Sequence, residues 1–238
     1  MGHNTMDSSN DDFSEDGCND DYHRKPEKIS EIVDAHILKH FGIPKDGGFT
    51  ASALFKLDNA VFTKTVNVHV IESERGIAFL TSGLSSYALG AKRFELTLAL
   101  PPKNEAAFTE SFSTFSAFFT WALRLLQNIA VFAITQQKPL EYGCSIDNGE
   151  PYTAGIDFSA CILLPTVSFS DDYENDASAI KLDDFGGYDD DIELLRIVPL
   201  YKEELEYKLK YGYEKLFTKL LGEAAFDGLN PQRKNVCA

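Results

Sequence analysis

Residues 93–100 read RFELTLAL, and this stretch indicates the fold class. Every second residue is apolar, which is the period of a β-strand whose two faces meet different surroundings. Pro101 and Pro102 end the run, because proline has no N–H to donate to a neighbouring strand. One face should therefore pack on a core while the other faces solvent, as in an antiparallel sheet. The apolar face consists of Phe94, Leu96, Leu98 and Leu100.

Further strand patterns lie on both sides of this stretch. Between residues 48 and 92, short runs rich in β-branched and aromatic residues are separated by turn residues such as Asp58 and Asn59. Downstream, apolar residues alternate from 154 to 165, and another apolar run covers 192–200. These runs predict additional strands of the same sheet.

Three segments show helical spacing instead. Residues 27–41 follow Pro26 and precede Gly42, which suit the start and the end of a helix. Residues 114–135 form a long apolar segment, and residues 202–221 form an amphipathic one that Gly212 interrupts.

The long apolar segment raises the question of a membrane span. Arg124, Gln127 and Asn128 lie near its middle, where a bilayer would make them costly. We therefore expect no membrane insertion but a helix buried against the sheet. The predicted fold is α+β, with a central, largely antiparallel or mixed sheet packed by this long buried helix and by terminal helices.

The formal net charge of -15 comes from two short segments. Residues 1–22 hold seven acidic side chains and no Lys or Arg, and residues 171–193 hold ten acidic side chains and one Lys. Dense like charge keeps a segment solvated. We therefore predict a disordered acidic tail over 1–25, one domain over 26–222 with an acidic loop at 171–193, and a flexible tail over 223–238.

Clustered acidic charge also bears on the partners. It attracts basic proteins by long-range steering, whereas phosphate binding requires a basic face that the sequence lacks. A basic protein is thus the expected partner, and direct nucleic-acid binding is not expected. The acidic, polar start of the chain is unlike a signal peptide, and four scattered cysteines fit reduced thiols, so we expect a cytoplasmic protein.

The sequence does not show a complete residue set for a metal site, a serine nucleophile or a phosphate-binding loop. His36 and His40 share a helix face, as two zinc ligands would, but no third ligand is near them in the sequence. Residues 81–85 read TSGLS, which lacks the glycine that a serine nucleophile elbow needs. No glycine-rich phosphate loop is present. We expect no metal, no cofactor and no enzymatic activity.

Three blocks resemble the Suppressor of fused family. IAFLTSGLSSYALGAKRFELTLALPP at 77–102 looks like its strand, T-S-G-[ML]-S turn and E-L strand. FFTWALRLLQNIAVF at 118–132 is similar to its Trp-led helix, although Ala122 stands where a proline commonly follows the tryptophan. RIVPLYKEELEYKLKYGYEKLF at 196–217 resembles its closing strand, P-L-Y turn and E-E-L helix.

The resemblance implies a protein-binding α+β domain without known catalysis. The animal member sequesters a transcription factor and has an extra C-terminal domain, for which this chain has no room. Short bacterial relatives are thought to include immunity proteins, so the resemblance implies an antitoxin that binds and sequesters a basic toxin. The alternative is a small-molecule-binding protein or hydrolase with a pocket near Ser82 and Glu95.

The candidate partner-binding residues lie in the T-S-G-L-S turn, on the strand that follows it, in the Trp-led helix and in the acidic loop. Turns carry function more often than core faces do. We also expect Arg124 to pair with a buried carboxylate such as Glu95 or Glu204. The candidates are Ser82, Gly83, Ser85, Glu95, Arg124, Asp189, Asp190 and Asp191.

Overall fold

The structure is a computed structural model. It describes residues 26–41, 49–73, 76–87, 89, 92–101, 115–166, 179–180, 191–222 and 229–238. The predicted acidic tail at 1–25 and most of the predicted acidic loop at 171–193 lie outside the described residues.

The described elements follow the predicted ones closely. The helices are α1 (Pro26–His40), α2 (Phe115–Gln136), α3 (Lys202–Tyr211) and α4 (Tyr213–Gly222). The strands are β1 (Phe49–Lys56), β2 (Asn67–Ser73), β3 (Gly76–Ser82), β4 (Arg93–Leu100), β5 (Ser145–Asp147), β6 (Ala160–Pro165), β7 (Ala179–Ile180) and β8 (Ile192–Leu200).

The strands form one mixed sheet in the order β1-β2-β3-β4-β8-β6-β5, and β7 pairs with β8 beside this path. The neighbours from β1 to β4 are antiparallel, whereas β4 and β8 run parallel over Arg93–Thr97 and Ile192–Arg196. The predicted α+β fold with a mixed sheet is therefore confirmed.

Helix α2 covers one face of the sheet. Its buried residues recur three and four positions apart, so they lie on one side of the helix and meet the apolar side chains of β2, β3, β4 and β8. By length and composition α2 could also cross a membrane, with a mean hydropathy of 1.5 over Ala117–Gln136. Its packing in the main core is that of a buried helix, as predicted. The buried residues are Phe118, Trp121, Ala122, Leu125, Leu126, Ile129, Ala130 and Ala133.

The opposite face of the sheet is covered in two parts. Helix α1 packs on Ile192 and Leu194 of β8 and on residues of β2 and β3. Helices α3 and α4 pack on Val198 and Leu200, at the other end of β8, and on β6. Strand β4 is therefore buried on both faces, and the expectation of a half-buried strand was wrong. Glu95 and Thr97, on its predicted solvent side, are covered as well.

The C-terminal segment 229–238 enters the sheet where β4 and β8 separate. Their parallel pairing ends at Thr97 and Arg196. Beyond that point the N–H of Leu229 donates to the carbonyl of Ala99 at 2.7 Å, and Leu229 joins the main core. This segment belongs to the predicted flexible tail 223–238, and it packs on the domain instead of projecting from it. The outer boundaries of the domain stay a prediction.

Candidate functional site

The turn after β3 is shaped by Gly83. Its φ of +118° lies in the left-handed region, which side chains with a Cβ rarely adopt. A Cβ at this position would also lie 2.4 Å from the carbonyl oxygen of Thr65. Glycine therefore permits the chain to pass from β3 directly into the 3-10 turn Leu84–Ser86, with three successive N–H groups on its inner side.

Glu95 of β4 fills the inside of this turn. Its side chain is fully buried and accepts five hydrogen bonds. Three come from main-chain N–H groups, those of Gly83 at 2.9 Å, Leu84 at 3.2 Å and Ser85 at 3.0 Å. Two come from hydroxyls, Thr81 Oγ1 and Ser85 Oγ, each at 2.7 Å. The carboxyl group thus ties the end of β3 and the turn to β4.

Burial and hydrogen bonding act on Glu95 in opposite directions. Removal from water raises the pKa of this carboxyl, and the hydrogen bonds from Thr81, Ser85 and Gly83 lower it only in part. Successive N–H groups in a turn form a concave anion-binding site. Here that site is occupied from within the chain, because Glu95 is its anion.

Ser82 lies beside a second polar group, formed with α1 and β2. His69 Nε2 lies 2.6 Å from Asp34 Oδ1. Burial raises the pKa of Asp34, but the hydrogen bonds from His69 and Ser82 outweigh it and hold that pKa below its ordinary value. Ser82 is 1% exposed, and its hydroxyl lies near both Asp34 and the carbonyl oxygen of Ser30, which is 3.5 Å from Ser82 Oγ. A serine nucleophile needs the imidazole as its direct partner, and this arrangement does not provide it.

The two leading clefts among the described residues lie away from this turn. Two clefts with a cavity volume of about 10 Å³ each both include Ala99 and Arg196, and neither includes Ser82 or Glu95. Small-molecule sites usually enclose roughly 300–1,000 Å³. The alternative of a small-molecule or hydrolase pocket near Ser82 and Glu95 thus finds no support in the described part of the chain.

The outer side of the turn is closed by cations and a phenol. Arg93 Nη1 donates to the carbonyl of Ser85 at 2.7 Å, and Lys64 Nζ donates to the carbonyl of Ser86. Tyr87 receives the N–H of Lys64 on its hydroxyl at 2.8 Å. The turn is therefore held on both sides, which makes it a rigid feature of the fold.

The structure brings only some of the predicted site residues together. Ser82, Gly83, Ser85 and Glu95 share the turn, where Glu95 and Ser85 are buried completely. Their partner-binding role stays a prediction. Asp189 and Asp190 lie outside the described residues, and Asp191 is half-buried just before β8.

Arg124 does not make the predicted pairing. It lies on the exposed side of α2, while Glu95 is satisfied by the turn and Glu204 is paired with Arg233. The helical period of α2 explains this result, since Trp121, Ala122 and Leu125 lie on the buried side of the helix, and Arg124 falls outside that arc on the exposed side.

Arg233 is a buried charged residue that the sequence analysis missed. Its two terminal nitrogens donate to the two carboxylate oxygens of Glu204, each at 2.5 Å, and one of them also donates to the carbonyl of Pro199 at 2.7 Å. The guanidinium group stacks 5.0 Å from the ring centres of Phe158 and Tyr201. No periodic pattern surrounds Arg233, so only its position two residues after Pro231 in a polar run was visible in the sequence.

The histidine pair on α1 does not form a metal site with other described residues. The rings of His36 and His40 lie 4.3 Å apart. No group of three His, Cys, Asp or Glu able to hold an ion occurs in the part of the chain that the structure describes. Burial, followed by the charges of His40 and Lys39, lowers the pKa of His36 to about 4.

Comparison with known proteins agrees with this architecture. The model of the family described as Suppressor of fused protein (SUFU) matches residues 63–234. A search of curated proteins gave no match.

Several solved structures share the fold at low identity. A putative SUFU homologue from Neisseria gonorrhoeae FA 1090 has a TM-score of 0.56 at 16% identity, over 88% of this chain and 97% of that one. A Sufu–Fu complex has a TM-score of 0.51 at 14% identity, over 88% of this chain and 91% of that one. Drosophila Suppressor of Fused has a TM-score of 0.50 at 14% identity, over 87% of this chain and 50% of that one.

Proposed function

This chain belongs to the Suppressor of fused protein (SUFU) family, and we propose that it is a non-catalytic protein-binding module that sequesters a basic protein. A Sufu–Fu complex is among the structures with a similar fold, so a protein of this fold binds Fu. That precedent supports protein binding as the activity of the present chain.

The charge distribution is the observation that carries the proposal. Residues 1–22 and 171–193 hold 17 of the 37 acidic side chains but only one of the 22 basic ones. Clustered charge of one sign accelerates association with a partner of the opposite sign and disfavours partners of the same sign. A basic protein surface fits these segments, whereas a nucleic acid would be repelled.

The geometry of the β3–β4 turn supports a structural role for its polar groups and disfavours catalysis there. Its polar groups are buried and bonded to one another, and a catalytic group must reach a substrate. Glu95, the strongest acid–base candidate by sequence, is fully enclosed by five hydrogen-bond donors.

The specific form that we propose is an immunity protein of the cytoplasm that neutralises a basic toxin. Toxins that attack nucleic acids carry basic surfaces for their phosphates. An inhibitor with two acidic segments is complementary to such a surface. The bacterial SUFU homologue that this chain covers over 97% of its length supports the comparison with bacterial relatives.

The test is capture of bound proteins by the tagged chain from its native cell, followed by mass spectrometry. We expect one basic protein in near-equal amount at moderate salt. A variant with Asp189, Asp190 and Asp191 changed to Asn should retain much less of it.

The matched control removes three acidic charges from exposed positions outside the two segments, in Asp58→Asn, Glu150→Gln and Glu206→Gln. This control should retain the partner like the unchanged chain. Recovery of the chain alone, or equal retention by both variants, would contradict the proposal. A nuclease assay on the recovered partner, with and without the chain, then tests the immunity role itself.

A further inference from the structure

Helices α3 and α4 carry a cluster of lysines and tyrosines on their outer side, called here the Lys–Tyr face. The rings of Tyr207 and Tyr211 lie 4.6 Å apart. Lys210 and Lys215 lie over the ring of Tyr211, at 4.9 and 5.6 Å from its centre. Lys219 lies 5.1 Å from the centre of Tyr207. These five residues define the face, with both tyrosines on α3 and two of the lysines on α4.

The break at Gly212 brings the two helices together. With φ of 91° and ψ of 160° it leaves the helical region, and its N–H still caps α3 by donating to the carbonyl of Lys208 at 2.8 Å. The buried sides of both helices pack on β6 and β8 through Leu205, Leu216 and Leu220. Tyr207 is half-buried against the same cluster, whereas Lys210, Tyr211, Lys215 and Lys219 are exposed, so the Lys–Tyr face is anchored at Tyr207 and open to solvent at its lysines.

The lysines of this face form no direct ion pair within the described residues, although Glu206 and Glu214 stand on the same two helices. No carboxylate of the described chain forms an ion pair with Lys210, Lys215 or Lys219, although ion pairs are found at His69, Lys92 and Arg233. Lys219 Nζ donates only to a carbonyl, that of Val236, at 3.2 Å. The aromatic rings beside the ammonium groups favour the cations at these positions. Three neighbouring ammonium groups on two packed helices offer a surface for a carboxylate-rich segment.

We propose that the Lys–Tyr face docks the acidic N-terminal segment of this chain, residues 1–22. This segment carries seven carboxylates and no Lys or Arg, so its charge is complementary. It precedes α1, which packs on the same face of the sheet as α3 and α4. A chain of 22 residues reaches roughly 70 Å when extended, so its length allows the contact.

The docked segment also has a consequence for binding. A basic partner that binds residues 1–22 must first displace them from the lysines of the Lys–Tyr face. An acidic molecule that binds those lysines must likewise displace residues 1–22. The contact itself requires no partner. It is therefore independent of the proposed function and is testable on the isolated chain.

The experiment is zero-length carbodiimide cross-linking of the full chain, which joins carboxylates to amines in direct contact. Mass spectrometry should find residues 1–22 joined to Lys210, Lys215 or Lys219 several-fold more often than to the exposed lysines Lys39, Lys56 and Lys138. The yield should be unchanged on tenfold dilution, because the contact is within one chain. It should fall several-fold in 0.5 M salt, because the contact is between exposed charges.

Two variants with the same change of charge complete the test. In Lys210→Gln, Lys215→Gln and Lys219→Gln, the amide resonances of residues 1–22 should shift, whereas in Lys39→Gln, Lys56→Gln and Lys138→Gln they should stay in place. Cross-links spread evenly over all exposed lysines, or resonances that respond equally to both variants, would overturn the proposal. A yield that falls in proportion to dilution would assign the contact to a second copy and would overturn it as well.

Discussion

Glu95 is the residue on which the β3–β4 turn depends. Glu95→Gln keeps the size of the side chain but replaces one acceptor oxygen with an NH₂ group, which then faces main-chain donors. Each buried donor left without an acceptor costs about 1–3 kcal/mol. We expect a loss of about 3 kcal/mol in the free energy of unfolding, measured by urea denaturation.

The control for this change is Glu206→Gln, at an exposed position of α3. Surface changes of this kind stay within about 0.5 kcal/mol. Equal stability of the two variants would show that the hydrogen bonds to Glu95 contribute little, and the turn would then be held by Gly83, Arg93 and Lys64 alone.

His36 gives the stability of the protein a dependence on pH. Its pKa is about 4 in the folded chain, against 6.5 for the ordinary side chain. Between these values the unfolded chain binds the proton and the folded chain does not, so stability is complete above pH 6.5 and is lost as the pH falls towards 4. Because His36 is partly exposed, we expect only about 1 kcal/mol to be lost between pH 7 and 5 from this residue.

The neutral variant His36→Gln isolates that contribution. Urea unfolding at pH 7 and 5 should show a smaller difference for the variant than for the unchanged chain, by about 1 kcal/mol. Parallel stability curves over this range would mean that His36 titrates normally in the folded protein.

Among the elements, those with local signals were predictable. Strand β8 was expected at 192–200 and lies there, and the amphipathic segment breaks at Gly212 as expected. These signals are local, because the spacing of apolar residues and the position of a glycine can be read within a few residues of sequence. The grouping of Ser82, Gly83, Ser85 and Glu95 followed from their closeness in sequence, because they lie at the end of one strand, in the connection after it and on the next strand.

Long-range pairing was not predictable in the same way. The parallel contact of β4 with β8 joins Glu95 to Leu194 across some hundred residues, and no local period encodes it. The pairing of Glu204 with Arg233 spans 29 positions in sequence. The predicted pairing of Arg124 with Glu95 or Glu204 was wrong because it rested on charge alone, whereas the position of Arg124 on α2 directs its side chain outwards.

The C-terminal segment depends on the buried pair of Arg233 and Glu204. Arg233→Met leaves the Glu204 carboxylate buried without its cation, which costs about 3–5 kcal/mol. We expect that loss in urea unfolding, together with faster amide exchange at Leu229 as the segment detaches. The double variant with Glu204→Gln should recover part of the stability, because the uncompensated charge is then gone.

Arg124→Met is the matched control, since it makes the same change on the exposed side of α2. It should alter stability by less than about 0.5 kcal/mol. If Arg233→Met were equally mild, the segment 229–238 would be held by Leu229 and the main-chain contacts, and the ion pair would be dispensable.

For the whole molecule, the acidic loop at 171–193 should govern how fast a basic partner is found. Asp189→Asn, Asp190→Asn and Asp191→Asn together remove three negative charges without a large change of shape. We expect association with the captured basic protein to slow by about three- to tenfold at low salt, because steering depends on long-range charge.

The melting temperature should change by no more than about 1 °C, since these three carboxylates repel one another and the loss of their charges removes no attraction among them. Above about 0.5 M salt the two rates should converge, because screening limits the reach of charges to a few ångströms. Asp58→Asn, Glu150→Gln and Glu206→Gln should change the rate much less, because these charges are dispersed. Equal slowing by both variants would mean that only the net charge of the protein matters. An unchanged association rate of the Asp189, Asp190 and Asp191 variant at low salt would mean that the loop has no role in steering.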